Sequence, residues 1–214
     1  MSDTAVRVVK IGGSLFDYPD LAAAWNEWVS REPEMMTVII AGGGPYADLV
    51  RQWDQRFSLS EETAHWMCVA SMNVTAALLH QRLTGVQLLD DWQALREWGS
   101  SASQQRVAVF SVEAFLKNVE PNLPGDSLPQ TWAVSSDSIA ARVSEVLAAK
   151  ELVLGKSTSI SPGSKWQELA DEGFVDQYFP EIAAGLPVVR WVNLRSIIPA
   201  EKTSLIAQKK SVVP

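Results

Sequence analysis

The sequence has one cysteine, Cys68, among its 214 residues, so an internal disulfide framework is excluded. Cys68 lies in an apolar run (residues 66–70), a setting typical of a buried thiol rather than of a nucleophile. No apolar run approaches the roughly 20 residues of a membrane span, and the polar amino terminus lacks the basic and apolar segments of an export signal. We therefore expect a cytoplasmic protein with no membrane contact.

Positive charge is scarce and dispersed. The chain carries 18 Lys and Arg against 25 Asp and Glu, with no basic cluster before Lys209 and Lys210. Nucleic acids and anionic membranes favour clustered positive charge, so neither is expected as a partner. A small-molecule partner is expected instead.

Histidine is rare as well. His65 and His80 lie several helical turns apart on one predicted helix, too far apart to share a metal ion. We predict no protein metal site and interpret both histidines as structural or surface residues.

No linker is visible, so residues 1–214 are expected to form one domain. Apolar runs alternate with helical patterns, which predicts an α/β fold. Residues 121–129, rich in Pro and Gly, form either a lid or a plain connection, and residues 173–176 are predicted to form a turn. Strands are predicted at 5–11, 36–41, 106–110, 131–134, 151–154, 187–192 and 204–207, and helices at 19–31, 46–56, 61–83 and 136–149, with a short helical piece around Trp92 and Trp98.

The first predicted strand carries Lys10 near its carboxyl end and is followed by a turn that contains Gly12 and Gly13. Both faces of this strand are apolar apart from Arg7 and Lys10, as in the middle of a parallel sheet. At the carboxyl end of such a strand a lysine can face an anion, and glycine amides can approach phosphate closely. A solvated lysine followed by a plain turn is the alternative.

A second glycine turn, Gly42 to Gly44, ends the second strand, and Pro45 can open the next helix. If the two strands are parallel, both turns lie at the same edge of the sheet. Paired amides beside a helix N-terminus would then form a polyphosphate site.

The third informative stretch runs from Ser135 and Ser136 through Asp137 into a helix, and the strand that follows ends in Lys156. Asp137 is either a helix cap or a carboxylate that orients lysines or holds Mg²⁺ near a phosphate. Lys156 ends its strand much as Lys10 does, so the two could share one anion, unless both are simply solvated.

Three known phosphate-binding schemes fit poorly. Neither glycine turn has the Lys-Ser or Lys-Thr of a P-loop, and the protein-kinase motifs are absent. Gly42, Gly44 and Ala47 satisfy only a loose dinucleotide pattern. A dinucleotide-dependent oxidoreductase therefore stays open as an alternative.

Taken together, residues 9–14, 41–45 and 136–141 resemble the amino acid kinase family, which includes carbamate, acetylglutamate, aspartate and uridylate kinases. The order and spacing match over nearly the whole chain. The resemblance implies a three-layer αβα sandwich around a mainly parallel sheet, with ATP and Mg²⁺ at its carboxyl edge. It also implies a kinase that phosphorylates a small carboxylate, carbamate or phosphate.

The resemblance assigns roles to matching positions. It implies that Lys10, Asp137 and Lys156 are catalytic, with Asp137 organising the lysines. The implied nucleotide site comprises Gly12, Gly13, Ser14, Lys156 and Ser157, and the implied acceptor site comprises Gly42, Gly43, Gly44, Ser135 and Ser136.

The short chain also carries Ser-Ser-Asp-Ser-Ile-Ala at 135–140, Leu-Gly-Lys-Ser at 154–157 and Gly-Phe-Val-Asp-Gln-Tyr-Phe-Pro at 173–180. With these motifs it looks most like the small branch of the family that includes the aminomethylfuran-methyl-phosphate kinase of methanofuran synthesis, which implies one-carbon cofactor metabolism. Two features depart from the family: Lys156 is followed by Ser-Thr-Ser rather than Val-Asp-Gly, and no second late lysine is evident. A catalytically silent member that binds a nucleotide, metabolite or oxyanion is therefore the second hypothesis. Four of the nine tryptophans lie in predicted helices and are interpreted as core or subunit-interface anchors, which favours a homo-oligomer: Trp25, Trp28, Trp53 and Trp66.

Overall fold

A six-stranded parallel sheet organises the protein. The structure, a computed structural model, describes residues 5–100 and 105–198. In this part of the chain the sheet order is β3-β4-β2-β1-β5-β6, and each neighbouring pair is parallel. All six carboxyl ends therefore lie at one edge, which confirms the mainly parallel sheet that the resemblance implied. The strands are β1 (Val6–Ile11), β2 (Met36–Ala41), β3 (Val86–Leu89), β4 (Val107–Phe110), β5 (Glu151–Lys156) and β6 (Val189–Asn193).

Helices cover both faces of the sheet, which confirms the predicted three-layer α/β architecture. One face, which includes Val8 and Val38, packs against apolar side chains of the helices such as Ile139. The opposite face, which includes Val9, packs against others such as Trp25. The helices are α1 (Leu21–Val29), α2 (Gly44–Phe57), α3 (Glu61–Arg82), α4 (Trp92–Ser100), α5 (Glu113–Asn118), α6 (Ser136–Val146), α7 (Trp166–Asp171) and α8 (Phe179–Ala183).

Local signals place several helix starts correctly. Pro45 occupies the first turn of α2, where its missing N–H costs no hydrogen bond. Ser60 caps α3, because its hydroxyl accepts a hydrogen bond from the Thr63 N–H at 3.2 Å. None of the helices in the described ranges combines the length and the apolar composition that a membrane span requires.

The predicted short strand at residues 131–134 is wrong. This segment is a turn, in which the Val134 N–H donates to the Thr131 carbonyl at 3.3 Å, and the Trp132 indole N–H donates to Asp54 at 2.9 Å. Strand β3 and helices α5, α7 and α8 were not predicted. The predicted strand at residues 204–207 lies outside the described residues.

The Pro- and Gly-rich segment after residue 120 is tied to α6 by a buried arginine. The Arg142 guanidinium, 1% exposed, donates to Glu120 at 3.0 Å and to the Pro124 carbonyl at 2.9 Å. Glu120 in turn accepts a hydrogen bond from the Leu128 N–H at 3.2 Å. The segment is therefore an anchored connection in this structure.

Charged residues also join the strands at the amino edge of the sheet. Arg7 of β1 lies opposite Glu151 of β5, and their side chains pair at 2.5 Å although Arg7 is only 1% exposed. Arg190 of β6 pairs with the same Glu151 at 3.0 Å and with Glu32 at 2.7 Å. The two carboxylates thus neutralise the two guanidinium groups.

Candidate active site

The three segments singled out by the sequence meet around one cleft at the carboxyl edge of the sheet. The cleft has a volume of about 630 Å³. Gly42 is the one predicted site residue outside the lining, since it is buried and its N–H donates to the Ile11 carbonyl at 2.8 Å. The predicted residues that line the cleft are Lys10, Gly12, Gly13, Ser14, Gly43, Gly44, Ser135, Ser136, Asp137, Lys156 and Ser157.

Two lysines share one buried aspartate in this cleft. The Asp137 Oδ1 atom lies 3.0 Å from Lys10 Nζ and 2.8 Å from Lys156 Nζ, and Lys156 Nζ also donates to Oδ2 at 2.9 Å. The two contacts to Oδ1 are ion pairs whose angles are unsuitable for a hydrogen bond, whereas the contact to Oδ2 is a hydrogen bond. Each of the three residues is at most 8% exposed. The cluster therefore carries one surplus positive charge beside the cleft.

Burial and charge act in opposite directions on these groups. Burial alone would raise the pKa of the Asp137 carboxyl, but the two ammonium groups outweigh it and hold that pKa below its ordinary value. Burial and the neighbouring Lys10 charge lower the pKa of Lys156 to about 8, against the opposing effect of Asp137. Asp137 is therefore ionised at neutral pH, while Lys156 can lose its proton at mildly alkaline pH.

The two glycine turns lie side by side because neither has a side chain to separate them. A Cβ atom on Gly13 would lie 2.9 Å from the Gly44 nitrogen, and Gly44 adopts φ +58°. The Gly12 N–H, like that of Gly42, is already used, since it donates to the Gly155 carbonyl at 2.8 Å. An anion in the cleft would therefore be bound by the backbone N–H groups of Gly13, Gly43 and Gly44, according to the anion-binding hypothesis.

The side of the cleft next to β5 and β6 is polar and aromatic. The hydroxyl groups of Ser14 and Ser157 are 2.8 Å apart and join the turn after β1 to the loop after β5. The Trp191 ring lies 5.3 Å from Lys156 Nζ, and its indole N–H donates to the Thr158 carbonyl at 2.8 Å. Three of the predicted nucleotide residues, Ser14, Lys156 and Ser157, lie on this side.

The opposite side, formed by α2 and α3, contains residues that the sequence did not indicate. His65 was interpreted as structural or surface. It is 5% exposed, lines the cleft and hydrogen-bonds to the Thr131 backbone, and burial lowers its pKa. The Arg51 guanidinium lies 5.8 Å from the Trp132 ring centre at the same wall. No sequence motif marks these three side chains, because they meet only in the folded chain.

The residues present do not fit a protein-held metal ion. Within the described ranges, no group of three or more His, Cys, Asp or Glu residues is placed to bind one. Both oxygens of Asp137 face ammonium groups. Mg²⁺ commonly binds protein through few carboxylates together with substrate phosphates, so any Mg²⁺ here would be held mainly by the phosphates of a bound substrate.

Comparison with known proteins gives a consistent family and fold. Residues 5–159 match the sequence profile described as the amino acid kinase family. Over 150 residues the chain is 25% identical to the [5-(aminomethyl)furan-3-yl]methyl phosphate kinase of Methanocaldococcus jannaschii. That alignment covers 70% of this chain and 64% of the relative, so it spans less than two thirds of the relative's length.

Solved kinase structures share the fold at low sequence identity. The uridylate kinase of Archaeoglobus fulgidus superimposes with a TM-score of 0.59 at 17% identity, covering 92% of this chain and 95% of that one. The UMP kinase of Ureaplasma parvum gives 0.59 at 12% identity, with 90% and 91% coverage. An isopentenyl phosphate kinase in complex with substrate gives 0.55 at 12% identity, with 95% and 96% coverage.

Proposed function

The chain belongs to the amino acid kinase family, and from this membership we propose that it transfers the γ-phosphoryl group of ATP to a small-molecule acceptor. One observation carries the proposal: Lys10 and Lys156 share Asp137 beside a cleft bounded by two glycine turns. Polyanions are stabilised by this combination of ammonium groups and backbone amides. We further propose a cytoplasmic, single-domain enzyme.

The reaction would be an in-line displacement in which the acceptor oxygen attacks the γ-phosphorus and ADP leaves. Lys10 and Lys156 would stabilise the negative charge on the transferring phosphoryl group and on its leaving oxygen. Asp137 would hold both ammonium groups in place. Removing one such donor typically costs about 2.7–4 kcal/mol of barrier, or roughly 10²–10³ in rate. Mg²⁺ bound to the nucleotide would share in neutralising its phosphates.

We propose a phosphate monoester of a small ring compound as the acceptor. The relative in Methanocaldococcus jannaschii is named for a furanylmethyl phosphate. In this chain, α2 and α3 offer Arg51, which pairs with the exposed Asp48 at 2.5 Å, for an anion, and Met72 and the neighbouring Trp132 for an apolar ring. We extend the proposal to one-carbon cofactor metabolism, and small carboxylates and carbamate remain in the panel of acceptors to be tested.

A homo-oligomer is part of the proposal. Helix α2 exposes four large apolar or aromatic side chains along one stripe, namely Tyr46, Leu49, Trp53 and Phe57, each at least 38% exposed. A second copy of the chain would remove this surface from water. Light scattering coupled to size-exclusion chromatography measures the number of chains in the particle. A monomer at micromolar concentration would exclude the proposed homo-oligomer.

A catalytically silent nucleotide or metabolite binder is the second candidate. Ser157, Thr158 and Ser159 stand where related kinases carry Val-Asp-Gly, and this departure favours it. Calorimetric titration measures ligand binding, and an ADP assay measures turnover. A silent member would bind ligand in the first measurement but form no ADP with any acceptor in the second.

The test is ADP formation from Mg-ATP with a panel of phosphate monoesters, carboxylates and carbamate. We expect Lys10→Ala to abolish measurable turnover while the protein stays folded, because the remaining Asp137–Lys156 pair is neutral. Lys150→Ala is the matched control, since Lys150 is exposed and precedes β5 at the opposite edge of the sheet. A folded Lys10→Ala protein with normal turnover would refute the assignment.

A further inference from the structure

The carboxylate of Asp176 joins the starts of two helices at the wall of the cleft. Its Oδ2 atom accepts hydrogen bonds from the Ser135 N–H at 2.9 Å, the Ser135 hydroxyl at 2.8 Å and the Ser138 N–H at 3.0 Å. Its Oδ1 atom accepts from the Ser138 hydroxyl and from the Phe179 N–H at 3.0 Å. Asp176 therefore caps α6 and reaches the first residue of α8.

Helix α6 depends on this carboxylate because it has no cap of its own. Ser135 stands at the N-cap position, but its side chain accepts no capping hydrogen bond and donates to Asp176 instead. An N-cap side chain usually accepts the N–H of the second or third helical residue. Asp176 does so from 38 residues further along the chain. Asp137 lies between the two backbone groups that Asp176 holds, so its backbone position follows theirs.

The segment that carries Asp176 also contacts Lys156 directly. The Phe174 carbonyl accepts a hydrogen bond from Lys156 Nζ at 2.6 Å. The ammonium group of Lys156 therefore has two oxygen partners, the Asp137 carboxylate and the Phe174 carbonyl. Asp137 belongs to α6, and Phe174 belongs to the segment before α8. Asp176 links these two parts of the chain.

We propose that Asp176 is a positioning residue of the phosphoryl-transfer site, which sets the distances from Lys156 Nζ to Asp137 and to the Phe174 carbonyl. Its effect on rate rests on the proposed kinase function. Its effect on the environment of Lys156 does not, and the two are measured separately.

The charge state of Lys156 reports on this arrangement. The groups that face its ammonium are Lys10 from β1, Asp137 from α6, the Phe174 carbonyl and the Trp191 ring from β6. Asp137 favours the charged form, whereas burial and Lys10 disfavour it. If Asp137 and Phe174 move away, the ammonium loses its stabilising partners and Lys156 gives up its proton at a lower pH.

Asp176→Asn is the test variant, because it keeps the size of the side chain but replaces one accepting oxygen by an amide that cannot accept an N–H. We expect kcat to fall by about 10²-fold through misplacement of the reacting groups. The alkaline limb of the kcat/KM profile should move to lower pH. Asp171→Asn is the control, since Asp171 is exposed on α7 and accepts only from the Gln167 side chain among the contacts described.

A second readout needs no activity. Protein labelled with ¹³C at the lysine ε-carbon is titrated by NMR, and Lys156→Arg identifies the Lys156 signal. The signal should titrate at lower pH in Asp176→Asn than in the wild type. Ser138→Ala, which removes one hydroxyl contact to Asp176, should give a smaller shift in the same direction and serves if Asp176→Asn does not fold.

The outcomes separate the two proposals. A wild type with no turnover, together with a shifted Lys156 signal in Asp176→Asn, would reject the kinase function and support the positioning role. A folded Asp176→Asn protein with an unchanged Lys156 titration would overturn the positioning role, whether or not kcat falls.

Discussion

Replacement of Asp137 by asparagine should destabilise the protein much more than replacement of either lysine. Asp137→Asn keeps the volume but leaves Lys10 and Lys156, at 4% and 8% exposure, as two buried cations without a counter-charge. Breaking a buried ion pair by removing one partner typically costs about 3–5 kcal/mol. We expect a loss of about this size in the free energy of unfolding at pH 7, together with loss of turnover.

The pH dependence of Asp137→Asn has a definite sign. The carboxylate raises the pKa of Lys156, so the variant's Lys156 should have a folded-state pKa below about 8, whereas the unfolded value is near 10.5. When folding lowers the pKa of a lysine, the unfolded state binds more protons than the folded state between the two pKa values, and stability rises with pH over that range. The stability of the variant should therefore rise with pH from below 8 to about 10.5.

A second substitution tests the cause directly. Adding Lys10→Met to Asp137→Asn removes one uncompensated cation, so part of the lost stability should return although turnover does not. Urea unfolding followed by tryptophan fluorescence measures each free energy, with Asp171→Asn as the exposed control. An Asp137→Asn protein within about 0.5 kcal/mol of wild type at pH 7 would contradict the reasoning, because that is the usual range of surface substitutions.

Two further predictions follow from the same site. Gly43→Ala should cost about 1–3 kcal/mol by overpacking and impair turnover, since the added Cβ would lie 2.2 Å from Ser71 Oγ and 2.8 Å from Ala47 Cβ. Gly99→Ala is its control for urea unfolding, because nothing lies within 4 Å of a Cβ there, and equal stabilities of the two variants would argue against the clash. In the wild type, kcat/KM for ATP should fall above pH about 8, where Lys156 loses its charge. A flat profile to pH 10 would show that the charge of Lys156 is not required.

Much of the sheet and of the cleft lining could be predicted because the relevant signals are local. Strands β1, β2 and β5 are mostly apolar, and Lys10, Gly43 and Lys156 lie at or just beyond their carboxyl ends. Parallel strands bring such residues to one edge whatever the length of chain between them. The meeting of the three segments therefore needed no knowledge of side-chain contacts.

Strand β3 could not be predicted in the same way. It has four residues, and only Val86 is buried, so it lacks the long apolar run of a central strand. It also follows directly after the long helix α3. Its position at the edge of the sheet depends on pairing with β4, which is a tertiary contact.

The roles of Asp176 and His65 were also invisible in the sequence. Asp176 looked like part of a turn, because the groups that it caps lie 38 and 41 residues away. His65 looked like any histidine on a helix, since its hydrogen-bond partner Thr131 belongs to a segment wrongly predicted as a strand. Contacts of this range arise only from packing.

The ion pair between Arg7 and Glu151 has a consequence at the far end of the same two strands. A shift of β1 against β5 by two residues would keep the apolar faces inward, yet it would place Arg7 opposite Val153 and draw Lys10 away from Asp137. The charged centre therefore assembles only when these two strands align correctly during folding. A misaligned molecule would lose an ion pair at each edge of the sheet.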